Sequence, residues 1–230
     1  RNCGFCCVKK GTPRHLNEKE PVNVARAVEV LKLRHAIITS VTRDDLDDGG
    51  AGQFAATITE IRKRCPDVTV EVLIPDFMGS REGLKTVIEA NPDVVNHNVE
   101  TVPSLYPEIR PQAVYSRSLQ LLANAKDFSR KISGHEIVTK SGLMVGLGET
   151  FDQVVEVMKD LRKAGCDMLT VGQYLSPTEK HHEVVEYIHP AVFERYREIA
   201  TGLGFRHVAS APLVRSSFNA AESAGSLVGK

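Results

Sequence analysis

The sequence predicts an α/β fold, a partial (β/α)6 barrel of the TIM type, and three observations lead to it. Short β-rich apolar runs alternate with longer segments of helical spacing. Those runs are almost continuously apolar, as strands of a parallel sheet covered on both faces must be. Polar residues collect just after the runs end, at the rim where such barrels assemble their sites.

Taken in order, Val22 to Leu33 has helical spacing and leads into the first strand, "HAIITS" (His35 to Ser40). The rim loop "TRDDLDDGGA" carries the chain to a helix over Gln53 to Arg64, and "VTVEVLI" (Val68 to Ile74) follows as the next strand. After "IPDFMG" come a helix over Arg81 to Ala90 and the strand "PDVVNHN" (Pro92 to Asn98), which ends in "HNVETV". Ser116 to Lys126 is helical, "SGLMVG" (Ser141 to Gly146) is a strand, and "GLGET" turns into a helix over Asp152 to Ala164. "DMLTVGQ" (Asp167 to Gln173), the loop "QYLSPT" and a helix over Ala191 to Leu203 complete the series. Polar residues or glycine and proline bound each strand and so end it. No strand precedes the opening segment "RNCGFCCVKK", whereas a site loop on such a barrel follows one. A first strand upstream of Arg1 is therefore expected.

At 230 residues the chain can bury a sizeable core as a single domain, residues 1–230, whose C-terminal segment starts near 204. Lysine plus arginine and aspartate plus glutamate both number 29, for a formal net charge of +0. With no basic block to neutralise a phosphate backbone, nucleic acid is not an expected partner. No stretch approaches the roughly 20 apolar residues of a membrane span, and the opening residues lack the pattern of a secretory signal. The expectation is a cytoplasmic protein with reduced thiols and no membrane contact.

Three of the five cysteines, Cys3, Cys6 and Cys7, fall within the first seven residues. By itself "CGFCC" suits a redox C-x-x-C pair, half of a zinc site, incidental thiols or part of a 4Fe–4S site. A cluster held by three thiolates leaves one iron free for a small molecule, and Cys3 and Cys6 would supply two of the three. Cys7 is a poor third, because adjacent side chains point in different directions. Cys65 and Cys166 have no metal-ligand spacing and read as packing residues.

"RNCGFC" resembles the end of the C-x-x-x-C-x-x-C loop of radical S-adenosylmethionine (SAM) enzymes, in the form found in lipoyl synthases. Further blocks resemble lipoyl synthase segments in the family's order: "TSVTRDDLDDGGA" (Thr39 to Ala51), "PDFMG" (Pro75 to Gly79), "NHNVETVPSLY" (Asn96 to Tyr106), "TKSGLMVGLGET" (Thr139 to Thr150), "LTVGQYLSPT" (Leu169 to Thr178) and "PLVRSSF" (Pro212 to Phe218). The resemblance implies a barrel of the radical SAM kind. Cys3 and Cys6 would be two ligands of the SAM-binding 4Fe–4S cluster, with the third cysteine two positions before Arg1, and Phe5 would shield the cluster.

SAM itself would meet Arg43, Asn98, Glu100, Gly142, Gly146, Glu149 and Gln173. Each has a plainer reading beside this one. Arg43 and its acidic neighbours suit a solvated loop with a Gly-Gly turn, and Asn98 and Glu100 suit pairing with a neighbouring loop. Gly142 and Gly146 suit a tight strand exit, and Glu149 an early-turn acid favoured by a helix dipole. Gln173 and Tyr174 occupy the rim of the last strand. His181 and His182 look like half of a metal site, although no family ligand falls there.

Ser216 and Ser217 would ordinarily form a cap or turn. By resemblance, Ser217 is an oxygen ligand of a second, auxiliary 4Fe–4S cluster whose three cysteines lie in an N-terminal extension, with Arg215 beside it. Phe218 stands where the family usually has tyrosine. The implied reaction inserts two sulfur atoms at carbons six and eight of an octanoyl-lysyl group. That group would be carried by a lipoyl carrier domain or the glycine-cleavage H protein, and a reductant such as ferredoxin or flavodoxin would supply electrons. The auxiliary cluster would be the sulfur donor, and this polypeptide alone, short of cluster ligands, would be inactive. The competing expectations are another sulfur-inserting radical SAM enzyme, such as a biotin-synthase-like one or a lipoyl synthase paralogue, and a non-catalytic β/α scaffold.

Overall fold

The computed structural model describes residues 1–133 and 136–228; the last two residues of the expected C-terminal segment lie outside that range. In chain order the helices and strands are α1 Glu20–Val30, β1 His35–Thr39, α2 Ala51–Arg64, β2 Thr69–Leu73, α3 Arg81–Glu89, β3 Val94–Asn96, α4 Tyr106–Ile109 and α5 Tyr115–Ser133. They continue as β4 Val138–Val145, α6 Phe151–Lys163, β5 Met168–Gln173, α7 Pro190–Gly202, β6 His207–Ser210 and α8 Ala220–Val228. The chain forms two compact units: Thr12–His97, Ala123–Thr139 and Asn219–Lys230 make one, and Arg1–Gly11, Asn98–Leu122 and Lys140–Phe218 make the other.

In the first of these, β1 pairs with β2 and β2 with β3, all parallel, in the register His35 opposite Thr69 and Glu71 opposite Val94. The apolar faces of the helices supply the cover such strands require: Phe54, Ile58 and Ile61 from α2 and Leu84, Val87 and Ile88 from α3 are buried together with Val70, Val72 and Val94. Each such side chain contributes about 1.5–3 kcal/mol on leaving water. Helix starts follow local chemistry. The Asp48 carboxylate accepts the N–H groups of Gly50 (2.8 Å) and Gly52 (2.7 Å), and the Ser80 hydroxyl accepts that of Gly83 (3.1 Å). Gly49 and Gly50 take φ of 62° and 86°, a left-handed turn that glycine adopts without strain.

In the other unit β4 pairs with β5 and β5 with β6, again parallel. β4 is buried along nearly its whole length, and α6 is fixed at its start by a capping box between Thr150 and Gln153. The strand β6 is an addition to the five that periodicity reveals. Its four residues are half-buried throughout, so they show neither the alternation nor the apolar run that marks a strand. Within each unit neighbouring strands follow chain order with a helix between each strand and the next, without the reversal of order that defines a doubly wound sheet. This is the α/β connectivity the sequence predicts.

Candidate functional site

Nine of the ten expected site residues, all but Arg43, lie in the second unit. Cys3 to Cys6 form a turn closed by the Cys6 N–H on the Cys3 carbonyl at 3.3 Å. Both cysteines are half-buried and Cys7 is exposed. The Gly4 N–H donates to the Ile109 carbonyl at 2.8 Å, and the Asn2 N–H to the Gln112 side chain. Phe5 packs on a buried cluster of Ile109, Leu147 and Tyr174. The turn therefore lies against the end of α4 on one side and the exits of β4 and β5 on the other.

Glu100 has a left-handed backbone, φ 65°, which costs a non-glycine residue of order 1–3 kcal/mol and persists only when the surroundings enforce it. Here β4 enforces it: the Glu100 N–H donates to the Gly142 carbonyl at 3.0 Å, and the Met144 N–H donates to the Glu100 carbonyl at 2.8 Å. Burial pushes the Glu100 carboxyl above the ordinary carboxylate range, and Arg110 and a hydrogen bond from Asn98 only partly counter it. Arg110 is itself buried and donates to the carbonyls of Asn98 (3.2 Å) and Val99 (2.9 Å). Burial opposes its charge, yet Tyr106, Glu100 and Cys3 more than offset that and hold the guanidinium above its usual value. One buried cation thus serves both the cysteine turn and the strained acid, although nothing in its sequence context marks it. Asn98 Oδ1, Thr101 Oγ1, Ser141 Oγ and Arg110 Nε are buried with no hydrogen-bond partner among the described residues. Buried polar atoms are normally satisfied, so Asn98, which also bonds the Glu100 side chain, suits a polar ligand.

The "GLGE" turn is built from its own backbone. Glu149 accepts the N–H groups of Gly146 (2.6 Å) and Leu147 (2.9 Å), which closes the turn ahead of α6. Gly146 has φ 94°, and a Cβ there would collide with the Gln173 amide and the Glu186 carbonyl. A Cβ on Gly142 would strike the Thr170 hydroxyl and come within 3.1 Å of Asn98 Oδ1. These glycines admit neighbouring protein groups on their Cβ side. Gln173 is buried; its amide donates to the carbonyls of Tyr174 (2.9 Å) and Glu186 (3.0 Å) and its oxygen accepts from Ile188 N–H (2.9 Å), so it fastens the segment after β5. Gly172, not singled out from the sequence, lets the Val214 carbonyl approach β5 where a Cβ would stand.

Burial also lifts the Glu149 carboxyl above the ordinary range, against its backbone hydrogen bonds. A raised folded pKa means the native state holds the proton more tightly. The stability from this group is full below the unfolded value and is lost as pH rises through the folded one. Glu149→Gln should therefore lose less stability than the parent between about pH 4.3 and neutrality, measured as the shift in denaturant midpoint. Equal pH slopes in the two proteins would contradict the burial assigned to Glu149.

Arg43, in the first unit, gives Nε and Nη2 to the two carboxylate oxygens of Asp45 at 2.8 and 2.7 Å. That bond, with the nearby Asp45 and Asp48 charges, raises its pKa against partial burial. Ser217 is exposed, in the turn closed by the Phe218 N–H on the Arg215 carbonyl (2.9 Å), and its hydroxyl has no partner among the described residues. Cys166 is buried with its thiol 3.3 Å from the Met168 carbonyl, the packing role expected of it, and Cys65 ends α2 half-buried.

Thiolates are the ligands iron–sulfur clusters use. The two half-buried thiols on one turn, with Phe5 between them and Arg110 beside Cys3, fit such a cluster in kind and supply part of its ligand set.

Comparison with known proteins agrees with this chemistry. The Radical SAM superfamily model matches residues 1–161. Over 220 residues, 96% of this chain and 75% of the relative, the sequence is 60% identical to a lipoyl synthase of Caldanaerobacter subterraneus subsp. tengcongensis. Over 222 residues, 96% of this chain and 76% of the relative, it is 56% identical to a lipoyl synthase of Caldicellulosiruptor saccharolyticus. Among solved structures, methylornithine synthase superposes with a TM-score of 0.61 at 12% identity, covering 94% of this chain and 69% of that one. At that identity the likeness speaks for the fold alone.

Proposed function

The chain belongs to the radical SAM superfamily and, within it, to the lipoyl synthases, and on that premise we propose how its residues divide the work. The family activity is sulfurtransfer: two sulfur atoms are inserted at carbons six and eight of a protein-bound octanoyl group, with SAM and 4Fe–4S clusters as cofactors. When bound, those cofactors supply the electron and the deoxyadenosyl radical that an unactivated C–H bond requires.

In this reading Cys3 and Cys6 are ligands of the SAM-binding cluster. Asn98 and Glu100, with Gly142 and Gly146 shaping the rim, receive SAM. The observation that carries the reading is the strained Glu100, held left-handed by β4 next to the unpartnered Asn98 Oδ1. Strain of this kind persists at binding sites, where it fixes a side chain in the geometry a ligand needs. Glu149 and Gln173 support the same rim from behind through the backbone groups they bind.

Ser217 is proposed as a ligand of the auxiliary cluster, for which an exposed hydroxyl without a protein partner is suited. The substrate is proposed to be the octanoyl-lysyl arm of a lipoyl carrier domain or glycine-cleavage H protein, reduced ferredoxin or flavodoxin the electron source, and the cytoplasm the location. No helix among the described residues is long and apolar enough to cross a membrane.

The test is SAM binding by the reconstituted full-length protein. Losing one hydrogen bond to a charged ligand costs about 1.5–3 kcal/mol, so Asn98→Ala and Glu100→Gln should each weaken SAM at least tenfold in calorimetry. Unchanged affinity in both variants would remove these residues from the SAM site.

A further inference from the structure

His181 and His182 belong to the segment between β5 and α7, and none of the roles above uses them. Both grip the cysteine turn. The His182 N–H donates to the Gly4 carbonyl at 3.0 Å, and His181 Nε2 lies 3.2 Å from the Cys6 carbonyl. Since a carbonyl only accepts, Nε2 of His181 carries the proton, and Nδ1 accepts from the Thr178 hydroxyl at 2.8 Å. His182 reaches further. Its Nε2 donates to the Leu147 carbonyl at 3.1 Å, its Nδ1 stands 3.2 Å from Glu108 Oε1, and its own carbonyl accepts the Tyr174 hydroxyl at 2.6 Å.

One residue therefore touches the cysteine turn at Gly4, the "GLGE" turn at Leu147 and the end of β5 through Tyr174. The far end of the segment is held equally firmly, because the Val185 N–H donates to the Gly146 carbonyl at 2.9 Å and Gln173 holds Glu186 and Ile188. Val184 joins Phe5 on the apolar cluster beneath. Among the described residues the cysteine turn has one internal backbone bond, from Cys6 to Cys3, and groups behind a metal site set its ligand geometry.

We propose that His182, assisted by His181, is a positioning residue: it fixes the cysteine turn relative to the "GLGE" turn, so that the cluster and SAM meet at a set geometry. The proposal rests on Cys3 and Cys6 being cluster ligands, and the test separates the two. Full-length protein is reconstituted with iron and sulfide as parent, Cys6→Ala, His182→Ala and His182→Asn. Iron content, the melting curve, and the electron paramagnetic resonance spectrum of the reduced protein with and without SAM are recorded.

His182→Ala should fold and retain iron, yet the spectral change that SAM induces should shrink or shift, and deoxyadenosine formation at saturating SAM should fall about 10- to 100-fold. His182→Asn, whose amide keeps a donor in the place of Nδ1 beside Glu108, should recover part of both. A parent-like SAM-induced spectrum and rate in the His182 variants, with the signal lost in Cys6→Ala, would overturn the positioning role alone. A parent-like signal in Cys6→Ala would overturn the ligand assignment beneath it. If His182→Ala does not fold, the comparison rests on His182→Asn, where parent-like behaviour again overturns the proposal.

Discussion

Replacing Cys6 with alanine in the full-length protein is expected to reduce deoxyadenosine formation from SAM to background. The thiol is the reason, because the fold does not depend on it. The cysteine turn is held through backbone groups, from Gly4 to Ile109 and from His182 to Gly4, and through the Phe5 ring on its apolar cluster. Removing a half-buried sulfur from such a turn should change stability by no more than about 0.5 kcal/mol, so the melting temperature serves as the control. Cys7→Ala provides the contrast: that cysteine is exposed, and its replacement should leave deoxyadenosine formation unchanged. Deoxyadenosine at the parent rate from Cys6→Ala would show that the cluster is held elsewhere.

Gly146→Ala is expected to produce the largest loss of stability among single substitutions at the rim. Two penalties combine. The backbone sits at φ 94°, where a Cβ is strained, and the added methyl would overlap the Gln173 amide and the Glu186 carbonyl. Strain and overpacking each cost about 1–3 kcal/mol, and a chain of this size loses roughly 2–4 °C per kcal/mol. A fall of about 4–24 °C in melting temperature should follow, with faster proteolysis after Gln173, since the displaced amide is what fastens residues 186 and 188. A shift of under 2 °C, about 1 kcal/mol or less, would mean that the 174–188 segment yields freely and that Gln173 does not hold it.

The parts of the molecule that repeat a local pattern were legible in the sequence. Five strands and six helices follow from apolar periodicity, because each buries a face against its neighbours over at least a few residues. β6 escaped because "HVAS" is short and half-buried throughout. That nine of the ten expected residues fall in one compact unit accords with their choice as polar groups, glycines and cysteines of loops and strand ends. The internal wiring of the site was not legible. His181 lies 175 residues from the Cys6 carbonyl it approaches, and no periodicity connects positions so far apart. Arg110 follows an isoleucine in an unremarkable loop and owes its importance to burial beside Glu100 and Cys3. Glu100 gives no hint of its left-handed backbone, because that conformation is imposed by β4 rather than favoured by glutamate. The ligand role of Glu149 and Gln173 was implied by the family resemblance, and the structure gives both residues backbone partners.

The decisive experiment follows the mass of an octanoyl-lysyl peptide incubated with the reconstituted full-length protein, SAM and a reductant, with Ser217→Ala in parallel. The parent should add two sulfur atoms per peptide, while Ser217→Ala should still form deoxyadenosine from SAM and add none. A parent protein that forms deoxyadenosine but leaves the peptide mass unchanged would contradict sulfur insertion into this substrate, and sulfur gain at the parent rate by Ser217→Ala would contradict the place given to Ser217.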